Sequence, residues 1–239
     1  MPETTLSLFD KLLPDQPLNN DLYADAPNAY FPALFRTISE ASGLRPPRED
    51  FLLEESDLRS LEEMASNPVN LRLFELLARL VGARRVLEIG SFVGLSAMTL
   101  ARAVGEQGHV TTIEKFPHFA AIARRNFQAN GLAERIELLE GDACEVIAHL
   151  PAERSFDLIF IDGNKERYAD YFLALEPRLA PRGLFVVDDV LFHGDALNPV
   201  CRTEKGRGTR AMLEQAARAK NYLRLLLPMG NGILLLLKR

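Results

Sequence analysis

From Arg85 onward the chain alternates between short apolar runs and longer amphipathic ones. The runs are VLEI at 86–89, VTTIE at 110–114, IELLE at 136–140, FDLIFID at 156–162 and LFVVDD at 184–189, with helical spacing near 95–104, 117–130, 143–149 and 167–179. Strand, helix and strand repeated this often predict right-handed βαβ units and a parallel sheet with helices on both faces. The rhythm breaks near the end of the chain. After a helix near 209–220, the runs LRLLL at 223–227 and ILLLL at 233–237 flank the turn-rich segment Pro228 to Gly232, which predicts an antiparallel hairpin. The fold expected is α/β, doubly wound and mostly parallel, with an antiparallel C-terminal hairpin.

Residues 1 to about 84 differ. Helix-period segments are separated by breaks at Pro14, Pro17, Pro27 and the Pro46-Pro47 pair, and no strand-like run occurs. The division expected is a helical N-terminal extension over 1–60 and the α/β domain over 61–239, in one compact unit. The clearest early helix has Asn67 as its cap, Pro68 in its first position, and an apolar stripe of Leu73, Leu76, Leu77 and Leu80 ending at Gly82. With 47% hydrophobic and 26% charged residues the chain has material for a real core. A net charge of -5 opposes binding by blanket phosphate neutralisation. The two cysteines, Cys144 and Cys201, are far apart and lack metal-ligand spacing, which excludes a zinc cage or disulfide framework. No run approaches a membrane span, and MPETTLSLFD lacks a basic segment followed by an apolar one, so the expectation is a cytoplasmic protein.

In a doubly wound sheet ligands bind beyond the carboxyl ends of the strands, so the strand-end residues carry the chemistry. The first end reads Glu88-Ile-Gly90-Ser91-Phe-Val-Gly94-Leu-Ser96, where glycines let the backbone turn tightly toward a ligand. Its G-x-x-x-G spacing lacks the second glycine that a dinucleotide pyrophosphate requires. The second ends in Glu114, roughly 20 residues on, where an acid can accept both hydroxyls of a ribose or, alternatively, cap the helix near Pro117. The third ends at Gly141-Asp142-Ala143, which offers contacts to a base, with Asp142 equally able to cap the next helix. The fourth and fifth end in Asp162 and in Asp188-Asp189. Carboxylates crowded on neighbouring tips either share protons or hold a hard cation such as Mg²⁺, Ca²⁺ or Mn²⁺. In the alternative reading, Asp188 and Asp189 satisfy loop amides and Asp162 pairs with Lys165.

The runs VLEIGSFVGLS, VTTIE, EGDA, FDLIFIDGNKERYADYF, GLFVVDDVLFHG and LLPMGNGILLLLKR, taken in order over about residues 60–239, resemble the cation-dependent S-adenosylmethionine O-methyltransferases of the caffeoyl-CoA and catechol type. The resemblance implies a seven-stranded, Rossmann-like class I methyltransferase sheet and a homodimer. It assigns Ser66, Glu88, Gly90, Ser91 and Ser96 to the methionine end of the cofactor, Glu114 to the ribose, and Asp142 and Ala143 to the adenine, with Asp162 adjoining. Asp162, Asp188 and Asp189 become the ligands of a divalent cation. Lys165 and Asp162 become the catalytic pair, with Tyr168 at the aromatic position that follows. Several features depart from the family pattern: Asp188-Asp189 where Asp-Asn is usual, Phe192 where tryptophan is common, and Gly230-Asn231-Gly232 in place of GDG. So does Val69-Asn70-Leu71 after the MASNP proline.

The implied activity is methylation of a small aromatic vicinal diol: a catechol, phenylpropanoid or flavonoid. In it the metal lowers the hydroxyl pKa and fixes the attacking oxygen, and Lys165 acts as a base or as an electrostatic stabiliser. One alternative is methylation of a hydroxylated uridine in transfer RNA, for which Arg202, Lys205, Arg207 and Arg210 form a basic cluster. A second is a nicotinamide-dependent oxidoreductase, opposed by the absent pyrophosphate loop. A third is a protein that binds the nucleoside without turnover. His193 is left outside the site.

Overall fold

The computed structural model describes residues 37–239, so the expected helices and breaks before residue 37 lie outside the described residues. The chain divides into two compact units, Met1–Arg45 and Pro46–Arg239. In the first, residues 37–41 are helical.

The second unit begins with two short helices, α1 (Pro47–Asp50) and α2 (Leu61–Met64), and then α3 (Pro68–Leu80). Asn67 caps α3 by accepting from the Asn70 N–H at 2.9 Å, and Pro68 occupies its first turn, where no intrahelical donor is needed. The face α3 buries is only half of the expected leucine stripe, since Leu73 and Leu77 pack partly buried against the core and the other two leucines do not. Leu71, Phe74 and Ala78 point into the core, whereas Leu76 and Leu80 are 51% and 71% exposed. The helix is apolar on more than one side, and only the side facing the sheet is covered.

Five parallel strands follow, β1 (Arg85–Ile89), β2 (His109–Glu114), β3 (Ile136–Glu140), β4 (Phe156–Ile161) and β5 (Leu179–Val187). They are linked by α4 (Leu95–Ala103), α5 (Pro117–Ala129), α6 (Ala143–His149) and α7 (Tyr168–Leu175). After α8 (Glu204–Arg218), β6 (Tyr222–Leu227) and β7 (Ile233–Lys238) form the antiparallel hairpin. The sheet order is β3-β2-β1-β4-β5-β7-β6, with β7 inserted antiparallel beside β5 and β6 at the edge.

Alternate residues along each strand face opposite layers. Val86, Val110, Leu158 and Val186 pack with Phe74, Met98, Ala123 and Phe127 of α3, α4 and α5. Leu87, Ile113, Ile159 and Phe185 pack with Ile147, Phe172 and Met212 of α6, α7 and α8. The chain runs from β1 outward to β3 and then crosses back to β4, which makes the β1–β4 gap the topological switch point where such sheets bind ligands.

Candidate active site

The β1 and β4 tips nearly touch. The Asp162 N–H donates to the Ile89 carbonyl at 2.9 Å, and a Cβ at Gly90 would lie 2.4 Å from the Asp162 carbonyl oxygen. Gly90 also holds φ 97°, so this turn admits only glycine.

Glu88 is fully buried one residue inside the β1 tip. Thr112, its partner in the β1–β2 register, donates its hydroxyl to Glu88 Oε2 at 2.5 Å. Glu88 Oε1 and Ser91 Oγ are buried without a hydrogen-bond partner. Burial pushes the Glu88 carboxyl up to about 7 against the pull of the Ser96 and Thr112 hydroxyls, with the Asp162 and Glu114 charges adding to the rise. Two orphaned polar atoms at a switch point fit the polar end of a bound cofactor, because buried groups of this kind ordinarily have partners.

Glu114 is buried rather than solvated. Its Oε2 accepts from the Phe92 N–H at 2.8 Å and its Oε1 from the Phe116 N–H at 2.9 Å, which ties the glycine loop to the turn after β2. Burial raises its carboxyl above the ordinary range despite these donors. Asp142 caps α6 through the Cys144 N–H at 3.0 Å and pairs with Lys115 at 3.0 Å, which holds it below the usual carboxylate range. Ala143 is buried in the first turn of α6. Ser66 lies half-buried in the turn between α2 and α3, and no hydrogen bond among the described residues ties it to the strand tips.

Around the β4 and β5 tips, Lys165 Nζ lies 2.7 Å from Asp162 Oδ1 and 3.2 Å from Asp189 Oδ2. The Tyr168 hydroxyl, fully buried, stands 3.5 Å from the same Asp162 oxygen. Asp188 Oδ1 instead accepts from the Asp189 N–H at 2.8 Å. These are the ion pair and loop-amide contacts of the alternative reading, and the Lys165 ammonium fills the space between two of the acids. Among the described residues no three His, Cys, Asp or Glu side chains are gathered to coordinate one ion as they stand.

The electrostatics of this cluster nonetheless remain unbalanced, with three carboxylates and one ammonium. Burial, then the Asp162 and Asp189 charges, push Asp188 up to about 7; burial and the Asp189 charge also raise Asp162 against the pull of Lys165. For Lys165, burial works against the ammonium, but Asp162, then Tyr168 and Asp189, outweigh it and hold the pKa above the ordinary lysine range. An all-oxygen donor set with surplus negative charge suits a hard divalent cation in chemical type.

The loop beyond Asp189 is pinned from three sides. The Val190 and Leu191 N–H groups donate to the Gly232 and Asn231 carbonyls of the hairpin turn at 3.1 and 2.8 Å. Asp195 accepts from the Arg202 N–H, the Thr203 N–H and the Thr203 hydroxyl at 2.8, 2.9 and 2.7 Å, and these donors hold its carboxyl well below the usual range. Arg210 donates to the Ala196, Pro199 and Asn198 carbonyls, and Arg207 pairs with Glu204. Two members of the basic cluster thus serve the loop and helix themselves. Between the pins, Phe192 and His193 hold φ of 40° and 52°, a left-handed region that side chains rarely adopt. His193 is exposed. Thr112 and Asp195 were not anticipated: the role of Thr112 depends on the β1–β2 register, and that of Asp195 on where the loop returns.

A mostly parallel seven-stranded sheet in this order, with orphaned polar atoms at its switch point, defines a class I methyltransferase. The family described as O-methyltransferase matches residues 47–239, and the chain belongs to it. It is 40% identical over 145 residues to the catechol O-methyltransferase of Mycobacterium tuberculosis, a match covering 61% of this chain and 65% of that relative, just under two thirds of its length. Among solved structures, the O-methyltransferase TomG of Streptomyces achromogenes, involved in tomaymycin synthesis and in complex with SAM, aligns with a TM-score of 0.70 at 31% identity, covering 74% of this chain and 82% of that one. The O-methyltransferase from Bacillus cereus in complex with SAH aligns with a TM-score of 0.70 at 27% identity, covering 74% and 83%.

Proposed function

We propose that the chain is an S-adenosylmethionine-dependent and divalent-cation-dependent O-methyltransferase acting on a small aromatic vicinal diol. The observation that carries this reading is the surplus of carboxylates, Asp162, Asp188 and Asp189 around the single Lys165 ammonium, next to a switch point where Glu88 Oε1 and Ser91 Oγ are buried without partners. The name of the mycobacterial relative and the SAM and SAH complexes of the two structural relatives support it.

The cofactor supplies a methyl group on a sulfonium. Glu88 would receive its ammonium group, with Ser66, Gly90, Ser91 and Ser96 around the methionine end, Glu114 at the ribose, and Asp142 and Ala143 at the adenine. Asp162, Asp188 and Asp189 would hold Mg²⁺, Ca²⁺ or Mn²⁺, which supplies Lewis acidity that lowers the pKa of an acceptor hydroxyl. Lys165, held as a cation between Asp162 and Asp189, would stabilise negative charge on the attacking oxygen or take its proton. Tyr168 steadies Asp162 from the buried side.

The small acceptor is favoured over transfer RNA because Arg207 and Arg210 are engaged within their own loop and helix. No helix among the described residues is long and apolar enough to cross a membrane, and both cysteines are unpaired, which supports a cytoplasmic setting. Exposed Leu76, Leu80, Leu223 and Leu225 support a homodimer.

The test is methyl transfer from S-adenosylmethionine to catechol, caffeoyl-CoA and a flavonoid diol, with added Mg²⁺ or with chelator, alongside calorimetry with S-adenosylhomocysteine. Product formed with metal and lost in chelator is expected, and Lys165→Ala should lose at least 100-fold in kcat while retaining S-adenosylhomocysteine affinity. Undiminished transfer in chelator, or a full-rate Lys165→Ala enzyme, overturns the scheme.

A further inference from the structure

At the opposite pole of the sheet, where β1, β2 and β4 begin, lies a cleft of about 630 Å³ whose described lining includes Arg84, Arg85, Gln107, His109, Asp157 and Arg182. It stands apart from the strand tips of the proposed reaction. The chain carries a net charge of -5, yet three arginines and one aspartate line this cleft.

The carboxylate is already committed. Asp157 Oδ2 accepts from the Arg84 and Arg85 N–H groups at 3.0 and 2.8 Å, and its Oδ1 faces the Arg85 guanidinium at 3.4 Å. Among the described residues the guanidinium groups of Arg84 and Arg182 have no hydrogen-bond or ion-pair partner.

Arg182 adds an independent observation. It holds φ 61° in the irregular stretch of β5, where the pairing with β4 jumps from Leu179 to Leu184. A glycine would occupy that conformation without strain, and Gly183 follows directly. An arginine there keeps a strained backbone in the lining of the cleft, and strain of this kind gathers where a residue serves a ligand.

We propose that this cleft binds a small molecule bearing at least two phosphoryl charges, of about nucleotide size. Guanidinium forks match phosphate oxygens in a bidentate manner, and the surplus of two positive charges calls for a polyanion. Gln107 and His109 add polar groups beside them, and the cavity is within the range of small-molecule sites.

The full chain, in metal-free buffer at low salt, would be titrated calorimetrically with inorganic pyrophosphate, with and without saturating S-adenosylhomocysteine. Binding unaffected by S-adenosylhomocysteine is expected, weakened at least tenfold by Arg84→Gln and by Arg182→Gly. Arg182→Gly relieves the backbone, so its melting temperature should equal or exceed that of the parent, which separates lost binding from lost folding. The proposal is overturned if pyrophosphate gives no binding, if Arg182→Gly binds as tightly as the parent, or if S-adenosylhomocysteine competes. The last result would locate the anion at the strand tips. None of these outcomes depends on whether methyl transfer occurs.

Discussion

Glu88 is fully buried in a place where the Thr112 and Ser96 hydroxyls only partly offset the cost of a charge and Oε1 is left without a partner. Its carboxyl, pushed up to about 7, binds a proton more tightly in the folded than in the unfolded chain. The unfolded state therefore loses that proton first, near the ordinary carboxyl value of 4.5, and the group lowers stability as pH rises from there through about 7. Glu88→Gln removes this dependence. In urea denaturation the variant should be more stable than the parent by about 3 kcal/mol at pH 8, with the difference shrinking to about 1 kcal/mol at pH 5. A pH-independent difference would show that the burial penalty does not reside on Glu88. The sequence pointed to this residue by its position at the end of VLEI, but not to its partner: Thr112 looks like any β-branched strand residue until the register is known.

At the scale of elements, α8 connects the loop after β5 to the segment carrying Lys165. A Cβ at Gly208 would meet the Lys165 carbonyl oxygen at 2.4 Å and the Glu166 Cα at 2.5 Å, so the helix approaches that backbone as closely as a missing side chain allows. Nothing flexible lies in the way to yield. Gly208→Ala should lower stability by about 1–3 kcal/mol and displace Lys165, reducing kcat more than S-adenosylhomocysteine affinity. Chemical denaturation and steady-state kinetics measure the two effects, and an equal loss in both kinetic and binding terms would argue against a specific effect on Lys165. The helix near 209–220 was legible from its apolar spacing, but its true start at Glu204 was not. Two glycines obscure the period there, and the capping Thr203 is itself held by Asp195 from the preceding loop.

For the molecule as a whole, the expected boundary at residue 60 is set beside a compact unit that starts at Pro46. Residues 51–54 are stitched to α4 and α5. Phe51 is buried with the Arg102 guanidinium 3.7 Å over its ring, Leu52 and Asn130 exchange hydrogen bonds of 3.0 and 2.8 Å, Glu54 and Asn126 exchange two more at 2.6 and 2.9 Å, and Arg125 grips Glu54. We expect residues 46–239 alone to unfold cooperatively and bind S-adenosylhomocysteine, and residues 61–239 to be less stable by at least ~3 kcal/mol. Thermal melts followed by circular dichroism decide between the two boundaries, and equal stability would favour the one at 60. The amino-acid sequence by itself determined the order and kind of the seven strands, the hairpin, and which acids stand at which strand ends. Those follow from periodicity and turn residues within short windows. Only the tertiary structure decided that Lys165 stands between Asp162 and Asp189, that Asp188 turns to a loop amide, that Arg210 holds its own loop, and that α3 buries Phe74 and leaves Leu80 outside. Each of these depends on which of several adequate partners lies within about 3 Å, a matter settled by the packing of segments far apart in the chain.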